Sequence, residues 1–121
     1  MKKFYLQTNP FIVPTSDSKL IEEHFGNASI NPGDYSFAHM IAPTGWSEPF
    51  QTPDFDEITF IISGKKKIEF DDEEIILEKN QSICVTKGTR VRYSNPFNEK
   101  CEYVSVCIPA FTIERVKRES N

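Results

Sequence analysis

The chain has 121 residues, the size of one ordinary domain, with 38% hydrophobic and 12% aromatic residues, enough apolar material for one core. Its net charge of -4 and pI of about 5.2 argue against nucleic acid or an anionic membrane surface as the main partner. No apolar run approaches a membrane span, and the start MKKFYLQTNPF lacks an apolar core of signal-peptide length, so a soluble, cytoplasmic protein is expected.

Up to about Pro14 the chain alternates weakly and reads as an arm strand. TSDSKLIEEHFGN, residues 15–27, carries Ser and Asp capping candidates, then Leu20, Ile21 and Phe25, and closes on Gly26. That pattern predicts a short helix, with a strand as the alternative for so brief a segment. His24 within it reads as a surface residue. From residue 35 the punctuation becomes β-like. Strands are expected over Tyr35–Pro43, Glu57–Ser63, Lys65–Phe70, Glu73–Glu78, Ser82–Val85, Arg90–Ser94 and Cys101–Pro109. Short strands with a turn signal roughly every 8–12 residues predict an all-β sandwich or barrel. The tail FTIERVKRES is polar and reads as a short helix.

Alternate residues of a strand face opposite sides. In EITFIIS, Glu57, Thr59 and Ile61 therefore share one face, and Ile58, Phe60 and Ile62 the other. The second face is wholly apolar and needs a cover, either a second sheet or a second subunit. A two-fold homodimer is the expected arrangement. The runs GKKK (Gly64–Lys67) and DDEE (Asp71–Glu74) read as a solvated hairpin end with cross-strand charge pairs. Cys84, Cys101 and Cys107 form no C-x-x-C pair, which argues against structural zinc, and they read as buried, reduced thiols.

Gly45, Gln51, Pro53, Glu57 and Gly64 follow one another at intervals of five, one, three and six residues. Asn80, Thr86, Gly88, Val91 and Asn95 form a second ordered set. Together with the strand pattern, these spacings resemble the two motifs of the cupin family, G-x5-H-x-H-x3,4-E-x6-G and G-x5-P-x-G-x2-H-x3-N. Gly45, Glu57, Gly64, Gly88 and Asn95 agree in identity. The stretches DEITFIISG and YVSVCIPAF look closer still to small single-domain cupins of the ethanolamine-utilisation type. The resemblance implies an all-β double-stranded β-helix, or jelly-roll barrel. It divides the chain into a barrel over residues 35–110, an N-terminal arm and short helix over 1–34, and a tail over 111–121, all in one domain.

The departures carry the functional argument. The three family histidines fall on Gln51, Pro53 and Val91, and of the family ligands only Glu57 is kept. A divalent transition metal needs several imidazole or carboxylate donors converging on one point. Pro53 and Val91 have none to offer, so no tightly held metal and no cofactor are expected. The alternative is a divergent metal site that His39 completes by turning inward beside Glu57 and Gln51.

The resemblance places Glu57 facing the interior. A lone interior carboxylate loses solvation, which favours its protonated form unless donors stabilise the anion. Glu57 is thus the candidate acid/base, with Tyr93 a candidate partner on the same strand face as Val91. Candidate ligand contacts are Gln51, Trp46 and Phe50 in the loop before Glu57, His39, and Tyr103 with Ser105 on the last strand. Trp46 is a candidate lid over the barrel mouth. The expected function is the binding of a small organic molecule in the barrel, with proton-transfer chemistry of the isomerase or lyase type through Glu57. A metal-dependent enzyme and a non-catalytic dimeric sensor are the competing classes.

Overall fold

The structure is a computed structural model that describes residues 2–120. A short arm strand, β1 (Phe11–Ile12), leads into β2 (Leu20–Phe25) and β3 (Ser36–Ala42). The chain continues through β4 (Asp56–Ser63), β5 (Lys66–Glu69), β6 (Glu74–Leu77), β7 (Ser82–Val85), β8 (Arg92–Ser94) and β9 (Cys101–Ile108). A single turn of helix, α1 (Ile113–Val116), follows, capped by the Thr112 hydroxyl accepting from the Arg115 N–H. One sheet has the order β1-β2-β3-β9-β4-β7 and the other β6-β5-β8. Among the described residues no helix is long and apolar enough to cross a membrane.

The alternation read from the sequence decides what each strand buries. On β4, Thr59 and Ile61 are fully buried, while Ile58, Phe60 and Ile62 stay 39%, 39% and 36% exposed. On β9, Cys101, Tyr103, Ser105 and Cys107 point inward. Ile61, Ile68, Val85, Val91 and Tyr93 join Cys101 and Tyr103 in a core between the two sheets. Each fully buried aliphatic side chain there contributes about 1.5–3 kcal/mol. A smaller cluster, Phe55, Cys107 and Val116 with Phe111, seats the C-terminal turn on the barrel. Asn95 closes the end of β8. Its buried amide donates to the carbonyls of Ala42, Pro43 and Glu99 and accepts from the Phe97 N–H.

Residues 20–25 form a strand, not the short helix expected at the N-terminus. Asp17 does not cap a helix. Its Oδ1 accepts from the Lys19 N–H two residues on, and its Oδ2 accepts from the Trp46 indole at 2.9 Å. Six residues are too few to hold a helix alone, whereas the edge of β3 offers a ladder of unpaired backbone groups. Leu20 to Phe25 take it up, in antiparallel register with Ile41 to Phe37. His24 is half-buried, its ring edge-on to Phe37 at 5.9 Å.

Three smaller expectations are also corrected. Cys101 and Cys107 are buried, but Cys84 is exposed, because it lies opposite Ile58 on the outer side of the sheet. The run GKKK is not uniformly solvated: Lys66 is 2% exposed. Asp71–Glu74 is solvent-facing, and Lys67 meets Glu74 across the hairpin at 3.4 Å.

The spaced glycines of the first motif have a backbone reason. Gly64 has φ +79°, and a Cβ there would lie 2.3 Å from the Lys100 carbonyl oxygen. Asn80, at a family glycine position, also sits at positive φ, as asparagine tolerates better than most residues. Gly64→Ala combines an unfavourable φ with a clash against backbone. It is expected to lower stability by about 2–3 kcal/mol, read as a drop in the midpoint of urea unfolding.

Candidate functional site

A cavity of about 350 Å³ is lined from both sheets, from the arm at residues 13–19, and from the C-terminal segment at Phe111, Ile113 and Arg118. That lies at the small end of the range of about 300–1,000 Å³ for small-molecule sites. Glu57, half-buried, enters from the first turn of β4. The antiparallel register sets Thr59 beside Ser105 and Glu57 beside Cys107. The Ser105 hydroxyl donates to Glu57 Oε2 at 2.6 Å. A neighbouring thiol, Cys107, has its pKa pushed up by burial and by the Glu57 charge, so it stays protonated and unreactive.

Gln51 is buried and exchanges both backbone hydrogen bonds with Val91 at 2.9 Å. The two positions where the family has histidines thus lie directly across from each other. Gln51 Oε1 accepts from Arg118 Nε at 3.3 Å, and Arg118 also reaches Glu48 at 3.1 Å. Tyr93 lines the cavity. Its phenol is held protonated by burial and by the nearby Glu57, so it serves as a hydrogen-bond donor and a reluctant acid.

A metal of the usual cupin kind does not fit this donor set. Pro53 and Val91 carry no donor, Gln51 is engaged by Arg118, and Glu57 is the one carboxylate at the motif positions. Nor does His39 complete it. His39 points to the opposite face of the sheet, with Nδ1 2.7 Å from Glu22 and Nε2 2.6 Å from Glu102. Burial disfavours its charge, but these two carboxylates outweigh that and raise its pKa. Among the described residues no group of three or more His, Cys, Asp or Glu side chains is placed to hold a metal ion.

The unexpected feature is a pair of buried lysines. Lys66 Nζ sits 3.7 Å from the ring centre of Tyr103, 4.3 Å from that of Tyr93 and 6.0 Å from that of Trp46. Lys19 Nζ, from the arm, sits 4.0 Å from the Trp46 ring and 3.9 Å from a Glu48 oxygen. Cation–π contacts in a desolvated site contribute about 2 kcal/mol each. They do not restore full hydration. Burial, then the charge of Lys19, brings the Lys66 pKa down from 10.5 to about 8. Desolvation likewise lowers that of Lys19.

These contacts reassign four candidate ligand residues. Trp46 is 4% exposed and belongs to the core, so it floors the lysine site and is no lid. Tyr103 is fully buried beneath Lys66 and does not reach the cavity. Phe50 faces outward, with the Arg90 guanidinium stacked 3.8 Å from its ring centre. His39 lies on the outer face, as above. The structure brings Glu57, Gln51, Tyr93 and Ser105 together and adds Lys66 and Lys19 to them. Strand alternation carried the signal for Lys66. In KKIE, Lys66 shares a face with Ile68, so burial of the isoleucine takes the lysine inward too. Lys19 and Glu48 had no such signal, because loops bring them in.

The depressed Lys66 pKa has a signed consequence. Between about pH 8 and 10.5 the unfolded chain binds a proton that the folded one has released, so stability contributed by this residue rises with pH there. Below pH 8 the buried ammonium costs on the order of 3 kcal/mol before its aromatic contacts are counted. Lys66→Met is expected to be more stable than the parent at pH 7, and the advantage to shrink by pH 10. Chemical unfolding of both proteins at the two pH values checks it; a difference independent of pH contradicts the assignment.

Comparison with known proteins accords with the fold. The polyketide cyclase RemF of Streptomyces resistomycificus is similar in structure, with TM-score 0.71 and 10% identity over 88% of this chain and 79% of that one. The EutQ protein of Clostridium difficile superposes with TM-score 0.61 at 20% identity, covering 77% of this chain and 65% of that one. Likeness at this identity concerns the fold. In sequence, the chain is 38% identical over 109 residues to a Myxococcus xanthus protein named endoribonuclease YbeY, but it spans 37% of that protein's length. The Cupin domain family matches residues 38–107, more than half of the chain, and the protein belongs to the cupin superfamily.

Proposed function

We propose that this protein binds a small organic molecule in the barrel cavity and that Glu57 moves a proton to or from it, without a tightly held metal. The observation that carries this reading is the state of Glu57. It lines the cavity, and Ser105 holds Oε2 while Oε1 has no hydrogen-bond partner among the described residues. A carboxylate fixed at one oxygen and open at the other is poised to accept a proton from a bound carbon or oxygen acid and return it elsewhere. Tyr93 supplies a hydrogen bond to the polar group generated. Isomerase, epimerase and lyase reactions share this chemistry. The endoribonuclease activity named for the Myxococcus protein is not carried over, since it belongs to a chain of which this one spans 37%. The metal-dependent alternative through Glu57, Gln51 and His39 is set aside because His39 faces away. Three free cysteines suit a reducing, cytoplasmic setting.

A ligand found by its effect on melting temperature across a metabolite panel tests the binding. With that ligand, Glu57→Gln is expected to keep the fold and lose about 10²–10⁴-fold in turnover. Unchanged turnover sinks the proton-transfer role. Binding without turnover in either protein leaves a sensor as the function.

We also infer a homodimer through the outer face of the larger sheet. Ile58, Phe60, Ile62 and Ile108 are each more than a third exposed there, flanked by Val104 and Val106. Such an apolar sheet face suits a self-complementary two-fold contact. Light scattering is expected to give twice the chain mass for the parent and the monomer mass for Phe60→Glu. A monomeric parent at micromolar concentration refutes the contact.

A further inference from the structure

We propose that Lys66 and Lys19 form an anion subsite at the aromatic end of the cavity, and that the molecule bound there is a small organic acid whose carboxylate pairs with Lys66. This rests on the reading that the cavity takes a small molecule, and adds its chemical class.

Lys66 is a buried ammonium without an ion-pair partner among the described residues. Lys66 is 2% exposed, and no carboxylate of the described residues comes within 4.0 Å of its Nζ. The contrast with Lys19 is direct, since Lys19 lies 3.9 Å from Glu48. Glu48 is already shared, because Arg118 reaches the same Oε2 at 3.1 Å. Glu57 stands outside ion-pair range of Lys66, with Oε2 held by Ser105, although its charge still acts on the ammonium. Lys66 is therefore buried with no carboxylate of the described residues in direct contact, while Glu57 and Glu48 act on it from farther off.

The rings do not correct the imbalance. Tyr103, Tyr93 and Trp46 present their negative faces to the ammonium, but they supply no countercharge and accept no strong hydrogen bond. A buried ammonium is stable when it is paired and hydrogen-bonded. A ligand carboxylate entering from the cavity supplies both. It meets Lys66 head-on and remains within the influence of Lys19, while the rest of the molecule extends toward Glu57.

The site is also built, not incidental. Lys66 stands on β5, held inward by strand alternation with Ile68. Lys19 is delivered by the arm, which is pinned when Asp17 accepts from the Trp46 indole and Thr15 donates to the Lys19 carbonyl. Two independent segments thus place ammonium groups over one shared set of rings. A lysine offers a point charge with three donors, which suits a carboxylate approached from one side. In this arrangement the acid group is anchored at Lys66, and Glu57, lining the same cavity, exchanges the proton.

The probe is acetate, the smallest carboxylate, with acetamide as its neutral isostere and inorganic phosphate as the other anion. The protein carries ¹³C at the lysine ε-carbons, and the Lys66 and Lys19 signals are assigned with Lys66→Met and Lys19→Met. Acetate is expected to shift both signals saturably and to raise the melting temperature, with a dissociation constant in the millimolar range suited to so small a fragment. Acetamide is expected to bind at least tenfold more weakly. Lys66→Met, or Lys66→Gln if the first is poorly folded, is expected to lose the acetate effect while its unliganded melting temperature stays near or above the parent's. The inference is overturned if about 100 mM acetate leaves the parent's Lys66 signal unmoved, if acetamide matches acetate, or if phosphate alone binds. Failure here is separable from failure of the wider reading. A neutral metabolite that stabilises the protein while acetate does not removes the subsite and keeps the small-molecule function. Acetate binding at Lys66 with turnover indifferent to Glu57→Gln keeps the subsite and removes the proton-transfer role.

Discussion

Strand β9 is hydrogen-bonded on both sides along its length, to β3 from Ser36↔Cys107 through Ala42↔Cys101 and to β4 from Asp56↔Ile108 through Ser63↔Glu102. A strand held on both edges has no freedom to slip, because a shift of one residue would turn its inward set to solvent. The rest of the site follows from that register. Ser105 comes inward beside β4 and fixes Glu57. Tyr103 comes inward as the surface on which Lys66 rests. Glu102, on the other face, draws His39 outward with Glu22, which removes the one histidine able to restore a metal-binding set.

The interior balances two opposed demands. Its lower half is a packed apolar core of Ile61, Ile68, Val91 and their neighbours. Its upper half keeps charged groups of both signs beside a cavity. Burial raises the phenols of Tyr93 and Tyr103 and lowers the amines of Lys19 and Lys66, so each of these groups is pushed toward its neutral form. Metal-binding cupin motifs solve the same problem with a cation held by histidines. Here the positive charge comes from lysine side chains that the chain itself carries inward. The turns of the motif are kept, at Gly64 and Asn80, because the backbone requires them whether or not a metal is bound.

Much of this was legible in the residue order. The strands from residue 35 onward stand within one or two residues of their expected places, since period-two alternation and Gly/Pro punctuation are local properties. The opposed faces of β4 were legible for the same reason. The N-terminal helix was misread because Ser, Asp, Leu and Glu satisfy helix rules locally, and nothing local reveals that β3 has a vacant edge. Trp46 and Phe50 were misplaced because a loop has no period, so its composition cannot tell an inward ring from an outward one.

The sequence by itself determined the strand pattern, and its resemblance to the cupin motifs implied the barrel, the loss of the histidine ligands at Gln51, Pro53 and Val91, and the inward position of Glu57. These depend on spacing and alternation, which are properties of neighbours along the chain. Only the tertiary structure decided that His39 faces away, that Trp46 floors the site, and that Lys19 meets Lys66 across forty-seven positions of sequence. Those outcomes depend on which segment packs against which. The field at Lys66 sums contributions from the arm, the Glu48 loop, β4, β8 and β9, and no window of sequence contains them all.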